Sequence, residues 1–311
     1  MRSLVTGGAG FIGSNIADAL LDRGDEVCVV DDLSNGKREQ VPDAARFEEV
    51  DIRDGARLKA VAEDFRPDLV FHLAAQMDVR RSIADPAFDA SVNVIGTINV
   101  LEAARAGGAQ RVVNTSTGGG IYGDVDVMPT PESTPPQPMA AYGQSKQCAE
   151  LYCGWAQRLY GLRTVTLRYG NVYGPRQDPA GDAGVIAIFL GKAERGERPK
   201  VFGDGLQTRD YLFVGDVVRA NLLAAEHPDA HGAYNVGTGT ESTVLDVLEA
   251  VRVAAGLESF EAEHAPARQG ELLRSSLDVT RAQRELGFRA ETDLTAGMAR
   301  TLEWVRAAGA A

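Results

Sequence analysis

Apolar and polar residues alternate in blocks along the first half of the chain, and the block lengths predict alternating strands and helices. Apolar runs of about four to eight residues, bounded by turn residues, are typical of buried strands. Five such runs are SLVT, EVCVVD, LVFHLAA, RVVNTS and RTVTLRYG. Longer runs with helical periodicity lie between them, such as IGSNIADALLDRG and VNVIGTINVLEAARAGG, and each ends at a glycine that can cap a helix. This alternation predicts a doubly wound, parallel α/β sheet of the Rossmann type.

The alternation weakens after about residue 170, where Pro- and Gly-rich segments such as YGPRQDPAGDAG appear. Three later segments are amphipathic and predict helices: STVLDVLEAVRVAAG, VTRAQRELGF and MARTLEWVRAAG. We therefore predict one unit at residues 1–170 and a smaller α/β unit, mainly residues 171–311. A segment at about 210–238 is expected to return to the first unit.

Composition and charge narrow the possible classes of function. A formal net charge of −12 argues against a nucleic-acid partner, because binding phosphates needs clustered Lys and Arg. No basic-then-apolar leader and no apolar run of about 18 residues is visible, so we expect neither export nor membrane insertion. Cys28, Cys148 and Cys153 form no disulfide or metal-site pattern, which favours a reducing cytoplasm. We expect no metal site, and we expect His72, in an apolar run, to be a hydrogen-bonded core residue.

A glycine-rich segment, VTGGAGFIGSN, follows the first predicted strand and opens the first helix. Gly8, Gly10 and Gly13 fit the pattern G-x-G-x-x-G, and Gly7, Gly10 and Gly13 fit G-x-x-G-x-x-G. Such glycines permit a tight turn and let the helix N-terminus approach a pyrophosphate. Asp31 ends the second strand about 20 residues on, where a carboxylate accepts from both ribose hydroxyls. This arrangement predicts NAD as the cofactor and disfavours its 2′-phosphorylated relative.

A tyrosine and a lysine four residues apart, Tyr142 and Lys146, stand at the start of a predicted helix and therefore share one face. A buried ammonium beside a phenol is expected to lower the tyrosine pKa from about 10 and make Tyr142 a general base. Thr117 ends a central strand 25 residues earlier, next to Ser116. A hydroxyl there can bind the same substrate oxygen. Counting forward to Tyr142 favours Thr117, whereas counting back from the segment YG points to Gly118, and Ser116 remains the alternative.

With these motifs in place, the chain resembles the extended short-chain dehydrogenases/reductases, and among them the nucleotide-sugar 4-epimerases. The matching blocks span the chain and are TGGAGFIGS, VDDLSNG, VDIRD, FHLAAQ, VNVIGTINVLEAA, STGGGIYG, YGQSK, LRYGNVYGPRQ, RDYLFVGDV, YNVGTG and RQGELLRSSLD. The resemblance implies an NAD-binding first unit and a second unit that binds a UDP-sugar. It implies exchange of UDP-glucose and UDP-galactose through a transient 4-keto sugar, and a homodimer formed by the helices at 93–106 and 147–160.

The resemblance also implies roles for individual residues. Cofactor contacts fall on Gly7, Gly10, Phe11, Ile12, Gly13, Asp31, Asp32, Leu33, Ser34, Asn35, Gly36, Asp51, Ile52, Leu73, Ala74, Ala75, Gln76, Asn93, Tyr142, Lys146 and Tyr169. Substrate contacts fall on Thr117, Tyr142, Asn171, Val185, Phe202, Arg209, Arg268, Glu271 and Ser275. The expected catalytic residues are Thr117, Tyr142 and Lys146, with Ser116 as the alternative to Thr117. Arg209 and Arg268 are the expected diphosphate ligands, since an arginine fork fits phosphate oxygens.

Other readings of the sequence remain open. A nucleotide-sugar 4,6-dehydratase shares the fold and cofactor, but related dehydratases carry an Asp-Glu pair where this chain has Gly118 and Gly119. A reductase or decarboxylase of the same superfamily is a further alternative, and an NAD-sensing regulatory protein is the non-enzymatic one. We also expect the missing side chains of these glycines, Gly118 in particular, to leave room for the keto sugar to rotate.

The identity of the sugar depends on one small residue and a few arginines. Ser275 stands where relatives restricted to plain hexoses tend to carry a bulky tyrosine, so UDP-N-acetylhexosamines are expected to fit as well. UDP-glucuronate is the alternative, with Arg80, Arg81 or Arg176 as a partner for its carboxylate.

Overall fold

Seven parallel strands form one central sheet in the computed structural model, which describes residues 1–178, 184–267 and 272–309. The strands are β1 (Arg2–Thr6), β2 (Glu26–Asp31), β3 (Arg46–Glu49), β4 (Leu69–His72), β5 (Arg111–Thr117), β6 (Arg163–Tyr169) and β11 (Gly232–Val236). Their order across the sheet is β11-β6-β5-β4-β1-β2-β3. The five predicted apolar runs form β1, β2, β4, β5 and β6, which occupy the middle of the sheet. The predicted α/β fold class is therefore confirmed.

Helices cover both faces of the sheet, and alternate residues of each strand contribute to the two layers. One layer packs under α1 (Phe11–Asp22) and α9 (Val214–Glu226) and includes Val5 and Val113. The other packs under α2 (Gly55–Phe65), α5 (Gly96–Gly107) and α7 (Ala141–Tyr160) and includes the neighbouring residues Leu4 and Val112. Because both of their faces are buried, the central strands are rich in apolar residues, as in other doubly wound sheets.

Short helices follow several strands at the carboxyl-terminal end of the sheet. They are α3 (Val79–Ala84), α4 (Pro86–Ala90), α6 (Gly118–Ile121) and a 3₁₀ turn, Arg38–Gln40. A π-helical turn, Ser91–Ile95, joins α4 directly to α5. Such turns are rare and occur mostly at functional sites.

A second region packs against this end of the sheet. Its helices α8 (Val185–Glu194), α10 (Val244–Ala255) and α12 (Leu294–Gly309) share one core with Phe189, Val251 and Met298. Its other elements are β7 (Asn171–Tyr173), β8 (Lys200–Phe202), β9 (Thr208–Arg209), β10 (Tyr211–Phe213), β12 (Ser242–Thr243) and β13 (Glu263–Ala265). Helix α11 (Thr280–Leu286) instead packs on β11, and its Ala282 and Leu286 belong to the core of the central sheet. The boundary at residue 170 falls between β6 and β7 and stays a prediction. The segment at about 210–238 contains α9 and β11, which belong to the central sheet and its covering layer.

A buried carboxylate, Asp210, joins the two regions. Its side chain accepts hydrogen bonds from the amide and hydroxyl of Thr238 (both 2.7 Å), from the Gly239 amide (3.1 Å) and from the Leu277 amide (3.2 Å). Burial raises the pKa of Asp210, while these hydrogen bonds act in the opposite direction. The Asp210 carbonyl also accepts from the Asn171 amide at 2.6 Å. Four segments that are distant in sequence therefore meet at one residue.

His72 lies in the core as expected. Its Nδ1 is 2.8 Å from the Thr6 hydroxyl and its Nε2 is 3.0 Å from the Thr97 hydroxyl. Burial, with a smaller contribution from the charge of Lys146, lowers the pKa of His72 to about 3. The imidazole is therefore neutral in the folded protein throughout the physiological pH range.

We expect His72→Gln to make stability less dependent on pH. Unfolded His72 gains a proton below about pH 6.5, whereas folded His72 does not until about pH 3, so its contribution is full above pH 6.5 and is lost as pH falls. The difference amounts to about 2 kcal/mol between about pH 7 and about pH 5. Urea unfolding at both pH values measures it. His231→Gln, at an exposed site, should keep the wild-type pH dependence; an unchanged slope in His72→Gln would contradict the prediction.

Candidate active site

The glycine loop at residues 7–13 forms a cradle, and side chains at Gly7 or Gly13 would fill it. Gly7 has a φ of +70°, and a Cβ there would lie 2.6 Å from the Ala74 amide nitrogen. A Cβ at Gly13 would overlap the Gly7 carbonyl oxygen and lie 2.8 Å from the carbonyl carbon. Gly10 is the N-cap residue of α1 and supplies no side-chain cap. Within the described ranges, no side chain closes this helix N-terminus, so its amides fit a pyrophosphate.

Asp31 stands beside this cradle at the end of β2. Its carboxylate accepts from the Ala9 amide at 3.0 Å and from the Leu33 amide at 2.9 Å. Burial raises the pKa of Asp31, and the two amides oppose this. The following loop returns over the glycine segment, because the Lys37 amide donates to the Ala9 carbonyl at 2.9 Å. A Cβ at Gly36 would lie 2.9 Å from Ala9. The predicted ribose and pyrophosphate segments are therefore adjacent.

The other predicted cofactor residues lie at or beside the same edge of the sheet. The amides of Leu73 and Ala74 both donate to the Thr6 carbonyl at 3.1 Å. Asp51 pairs with Arg53, which lowers the pKa of Asp51. Phe11 and Ile12 begin α1, while Asp32, Ser34 and Asn35 follow Asp31, Ile52 follows Asp51, and Ala75 and Gln76 follow Ala74. Ligands of doubly wound folds bind at the carboxyl ends of the strands, which is this edge.

Tyr169 ends β6 with its hydroxyl already engaged. The Asn221 amide donates to it at 2.7 Å, and the Thr115 hydroxyl lies 3.2 Å away. Burial raises the pKa of Tyr169 to about 12, so this phenol stays neutral. Its ring packs in the sheet core, and a role at the cofactor stays a prediction.

Thr117 and Tyr142 meet where β5 ends and α7 begins. The Thr117 hydroxyl caps α6 by accepting from the Gly120 amide at 3.1 Å. It also lies close enough to the Tyr142 hydroxyl to act on the pKa of that phenol. A Cβ on Gly120 would lie 3.3 Å from Thr117 and 3.8 Å from the Tyr142 ring, so a glycine keeps this junction compact. The structure therefore brings Thr117 and Tyr142 together.

Ser116 points to the other face of the sheet. It pairs in register with Arg168 of β6, it is buried, and its hydroxyl has no hydrogen-bond partner among the described residues. Residues that are consecutive in a strand project to opposite faces. The geometry therefore favours Thr117 over Ser116 as the hydroxyl beside the tyrosine.

The direction of the Tyr142 pKa corrects one expectation. Burial, with the charge of Asp89 adding to it, raises the pKa of Tyr142 to about 12, and only the neighbouring Thr117 hydroxyl acts to lower it. Burial also lowers the pKa of Lys146 to about 8. The prediction of a lowered Tyr142 pKa beside Lys146 is therefore wrong, because loss of solvent disfavours both charged forms.

The predicted sugar contacts Asn171 and Ser275 meet at one glycine. A Cβ on Gly119 would lie 3.5 Å from the Asn171 side-chain oxygen and 3.9 Å from the Ser275 hydroxyl. Gly119 directly follows Gly118 at the start of α6, next to Thr117. This arrangement places two polar side chains from the second region beside the Thr117–Tyr142 pair.

The space over Gly118 is already occupied. A Cβ there would lie 2.5 Å from Cδ1 of the buried Leu277. The expectation that Gly118 leaves room for a turning sugar is therefore wrong, because Leu277 fills that volume. Gly119, with only ordinary contacts around it, is the glycine that borders the sugar residues.

The remaining predicted substrate residues are spread over the second region. Val185 begins α8, Phe202 ends β8, and Arg209 in β9 donates to the carbonyls of Thr208 and Leu272 at 2.8 and 2.9 Å. Arg268 and Glu271 lie outside the described residues.

The arginines considered for a glucuronate carboxylate have other contacts. Arg176 forms an ion pair with Asp18 of α1 at 2.5 Å, and the Arg81 guanidinium stacks 4.1 Å above the Phe88 ring. Arg80 is exposed at the start of α3. The contacts of Arg81 and Arg176 give no support to a UDP-glucuronate site.

Two residues of the site, Asp89 and Ser145, are absent from the sequence-based predictions. Ser145 accepts from Nδ2 of Asn93 at 3.0 Å, and Asp89 accepts from Gln76 at 2.9 Å. Ser145 lies within the block YGQSK, in which only Tyr142 and Lys146 have a stated chemical role, and Asp89 lies outside the matching blocks. Their only sequence signal is proximity to Asn93 and Tyr142, which does not show which way a side chain points.

Comparison with known proteins identifies the family. The model of the NAD dependent epimerase/dehydratase family matches residues 3–237. The chain belongs to this family. The UDP-glucose 4-epimerase of Mycolicibacterium smegmatis is 45% identical over 311 residues, covering 98% of this chain and 99% of its own. The chain is thus similar to a curated family member along nearly its whole length.

Two solved structures of the family share the entire fold. The UDP-glucose 4-epimerase of Thermotoga maritima, determined with UDP-glucose, superposes with a TM-score of 0.96 at 45% identity and covers 99% of both chains. The Thermus thermophilus UDP-glucose 4-epimerase, in complex with NAD, superposes with a TM-score of 0.92 at 45% identity, covering 99% of this chain and 100% of that one. In the parts of this chain that the structure describes, no helix is long and apolar enough to cross a membrane.

Proposed function

We propose that this protein interconverts UDP-glucose and UDP-galactose at the sugar 4-position, using tightly bound NAD. The observation that carries the proposal is the Thr117–Tyr142 pair with Lys146 one helical turn on, at the sheet edge that also holds the glycine cradle and Asp31. When bound, NAD supplies the hydride acceptor and donor and, in its oxidised form, a positive charge. The chain itself supplies position and proton control.

The proton step belongs to Tyr142. As a phenolate, its oxygen would take the proton of the sugar 4-hydroxyl as the carbonyl forms, and would return that proton to the 4-oxygen when the carbonyl is reduced from its other face. Thr117 would hold the same 4-oxygen through its hydroxyl, as its contact with Tyr142 allows. A phenol with a pKa of about 12 is mostly protonated near neutral pH, so a nearby positive charge is needed to ionise it. Lys146 and the loaded cofactor are the two sources of that charge.

The proposal is tested by following UDP-glucose, UDP-N-acetylglucosamine and UDP-glucuronate by NMR without added NAD. Appearance of UDP-galactose from UDP-glucose would establish both the reaction and the recycling of retained NAD. A dehydratase would instead yield a 4-keto-6-deoxy sugar. A reductase would stop without external reductant, and a decarboxylase would release carbon dioxide. A sensor would bind NAD without converting any of the sugars.

A second candidate substrate class, the UDP-N-acetylhexosamines, is favoured by Ser275. The Ser275 hydroxyl lies 3.9 Å from the position of a Cβ on Gly119, and we expect a larger residue there to fill the space that an N-acetyl group needs. We expect Ser275→Tyr to lose turnover of UDP-N-acetylglucosamine while keeping that of UDP-glucose. The ratio of the two kcat/KM values measures this. Ser275→Ala, which keeps the space, should convert both sugars, and equal losses in Ser275→Tyr would defeat the size argument.

We also propose that the protein forms a homodimer through α5 and α7 and works in the cytoplasm. Apolar side chains are exposed along this face, with Ile95, Leu151 and Leu159 at 51%, 66% and 60% exposure. Exposed apolar clusters of this kind mark contact surfaces. All three cysteines are free, as in a reducing compartment. Sedimentation at the mass of a single chain would contradict the dimer.

A further inference from the structure

Asp89, the fourth residue of α4, carries a buried carboxylate with one unused oxygen. The residue is 1% exposed. Its Oδ1 accepts from Gln76 Nε2 at 2.9 Å and from Asn93 Nδ2 at 3.2 Å. Its Oδ2 is buried and has no hydrogen-bond partner in the described part of the chain. A carboxylate oxygen in this condition calls for an explanation, because buried charges are normally paired.

The backbone around Asp89 fixes where this carboxylate points. Asp85 caps α4 by accepting from the Phe88 amide at 2.9 Å, and Pro86 opens the helix. The π-helical turn then carries the helix on into α5. Asp89 and Asn93, four residues apart, lie on the face that meets α7. The carboxylate is therefore set by regular helix geometry rather than by a loop.

A chain of hydrogen bonds links Asp89 to the turn that bears Tyr142. The Gln76 amide donates to Asn93 Oδ1 at 2.8 Å, and Asn93 Nδ2 donates to the Gln76 carbonyl at 2.9 Å. Asn93 Nδ2 also lies 3.0 Å from the Ser145 hydroxyl, which donates to the Tyr142 carbonyl at 3.0 Å. The first turn of α7 and the loop after β4 are thus held together through Asn93, with Asp89 accepting from both Gln76 and Asn93.

The Asp89 carboxylate acts electrostatically on both Tyr142 and Lys146, and none of the ion pairs among the described residues includes it. Burial raises the pKa of Tyr142, and the charge of Asp89 acts in the same direction. Burial lowers the pKa of Lys146, and the charge of Asp89 opposes part of that lowering. Glu150 also acts on Lys146, but Glu150 is paired with Arg168 at 2.6 Å. No ion pair involves Asp89 within the described ranges.

Among the described residues, the other titratable groups around Tyr142 and Lys146 are neutral, paired or exposed, so Asp89 stands out as a buried charge without an ion-pair partner. Cys153 on α7 and His72 on β4 are buried and neutral, since burial raises the pKa of the thiol to about 12 and lowers that of the imidazole to about 3. On α3, Arg80 and Arg81 are exposed, and Arg81 stacks on Phe88.

We propose that Asp89 is a positioning residue for the reaction, whose carboxylate fixes Gln76 and Asn93 against the first turn of α7 and supplies the uncompensated negative charge that faces Tyr142 and Lys146. This inference rests on the proposed function. In the loaded site the charge offsets part of the positive charge of Lys146 and the cofactor, and so sets the pH at which Tyr142 becomes a base.

The test compares neutral variants of Asp89 in the NAD-loaded protein. Asp89→Asn keeps the shape and an oxygen for Gln76, and Asp89→Ser is a smaller neutral alternative. Ionisation of Tyr142 is followed by tyrosinate ultraviolet difference absorption, with the same titration on a Tyr142→Phe background subtracted. We expect the midpoint to fall by about one to two pH units, and the acidic limb of the kcat profile to move with it.

Controls separate this role from a purely structural one. Asp85→Asn removes a charge from the same helix at an exposed cap and should leave the midpoint and the profile unchanged. An unchanged midpoint in a folded neutral variant would overturn the proposal. So would loss of folding in both neutral variants with normal folding of Asp89→Glu, since Asp89 would then serve stability alone. If the wild type lacks epimerase turnover, the proposed function fails, while the tyrosine titration still reports on Asp89.

Discussion

Tyr142→Phe is expected to retain NAD and to lose about 10²- to 10⁴-fold in the rate of sugar interconversion. The substitution removes one oxygen, the one that lies beside the Thr117 hydroxyl. The ring can stay where it is, because Gly120 and Gly143 leave α6 in contact with this turn of α7. The glycine cradle and Asp31 are untouched, so cofactor retention should be close to that of the wild type.

The measurement is kcat for UDP-glucose, together with the NAD content of the purified protein. Tyr152→Phe is the matched control, since it removes the same atom from an exposed position almost three turns further along α7. That variant should turn over normally. Wild-type turnover by Tyr142→Phe would remove Tyr142 from the mechanism, whatever the state of the cofactor.

Gly13→Ala is expected to empty the cofactor site. The added methyl group would overlap the Gly7 carbonyl, so the turn between β1 and α1 must open. Overpacking of this kind costs about 1–3 kcal/mol. If this cost falls on the NAD-bound protein, NAD binds about 5- to 150-fold more weakly. Most of the NAD should be absent after purification, and turnover should come to depend on added NAD.

Absorbance of the released nucleotide and the thermal midpoint with and without NAD measure this effect. Gly154→Ala is the control, because a Cβ on that helical glycine meets only the flexible end of Arg158 at 3.2 Å. It should keep its NAD and gain slightly from helix propensity. A Gly13→Ala protein that purifies with a full complement of NAD would show that the turn adapts without loss.

The central strands could be predicted from sequence because they are buried on both faces, which leaves few polar positions in them. β3 could not, since RFEE lies at the edge of the sheet and is partly exposed, so it carries no apolar run. β11 was also missed as a strand: GAYNV is short, and its buried Asn235 is satisfied by partners from residues 130 and 278. A local sequence pattern shows neither whether a strand lies at the edge of the sheet nor which distant residues hydrogen-bond to it.

The features of the candidate site also divide into those that the sequence predicts and those that it does not. Thr117, Tyr142 and Lys146 could be selected because each occupies a strand end or helix start that the pattern itself predicts. Leu277 over Gly118 could not, since the two residues meet only through the packing of the second region. Nor could the direction of the Tyr142 pKa be predicted, because spacing reveals a neighbouring charge but not how much solvent is lost.

The position of β11 and α9 in the chain has a consequence for folding during synthesis. When the first 170 residues have left the ribosome, six strands are available, but one face of the sheet still lacks the α9 residues Val217, Ala220 and Ala224 that cover Val113 and Leu167. The nascent chain must therefore expose this apolar face until residue 236 has emerged. Such an interval invites aggregation or chaperone binding. A ribosome stalled between residues 170 and 236 would display a protease-sensitive, incomplete sheet rather than a finished nucleotide-binding unit.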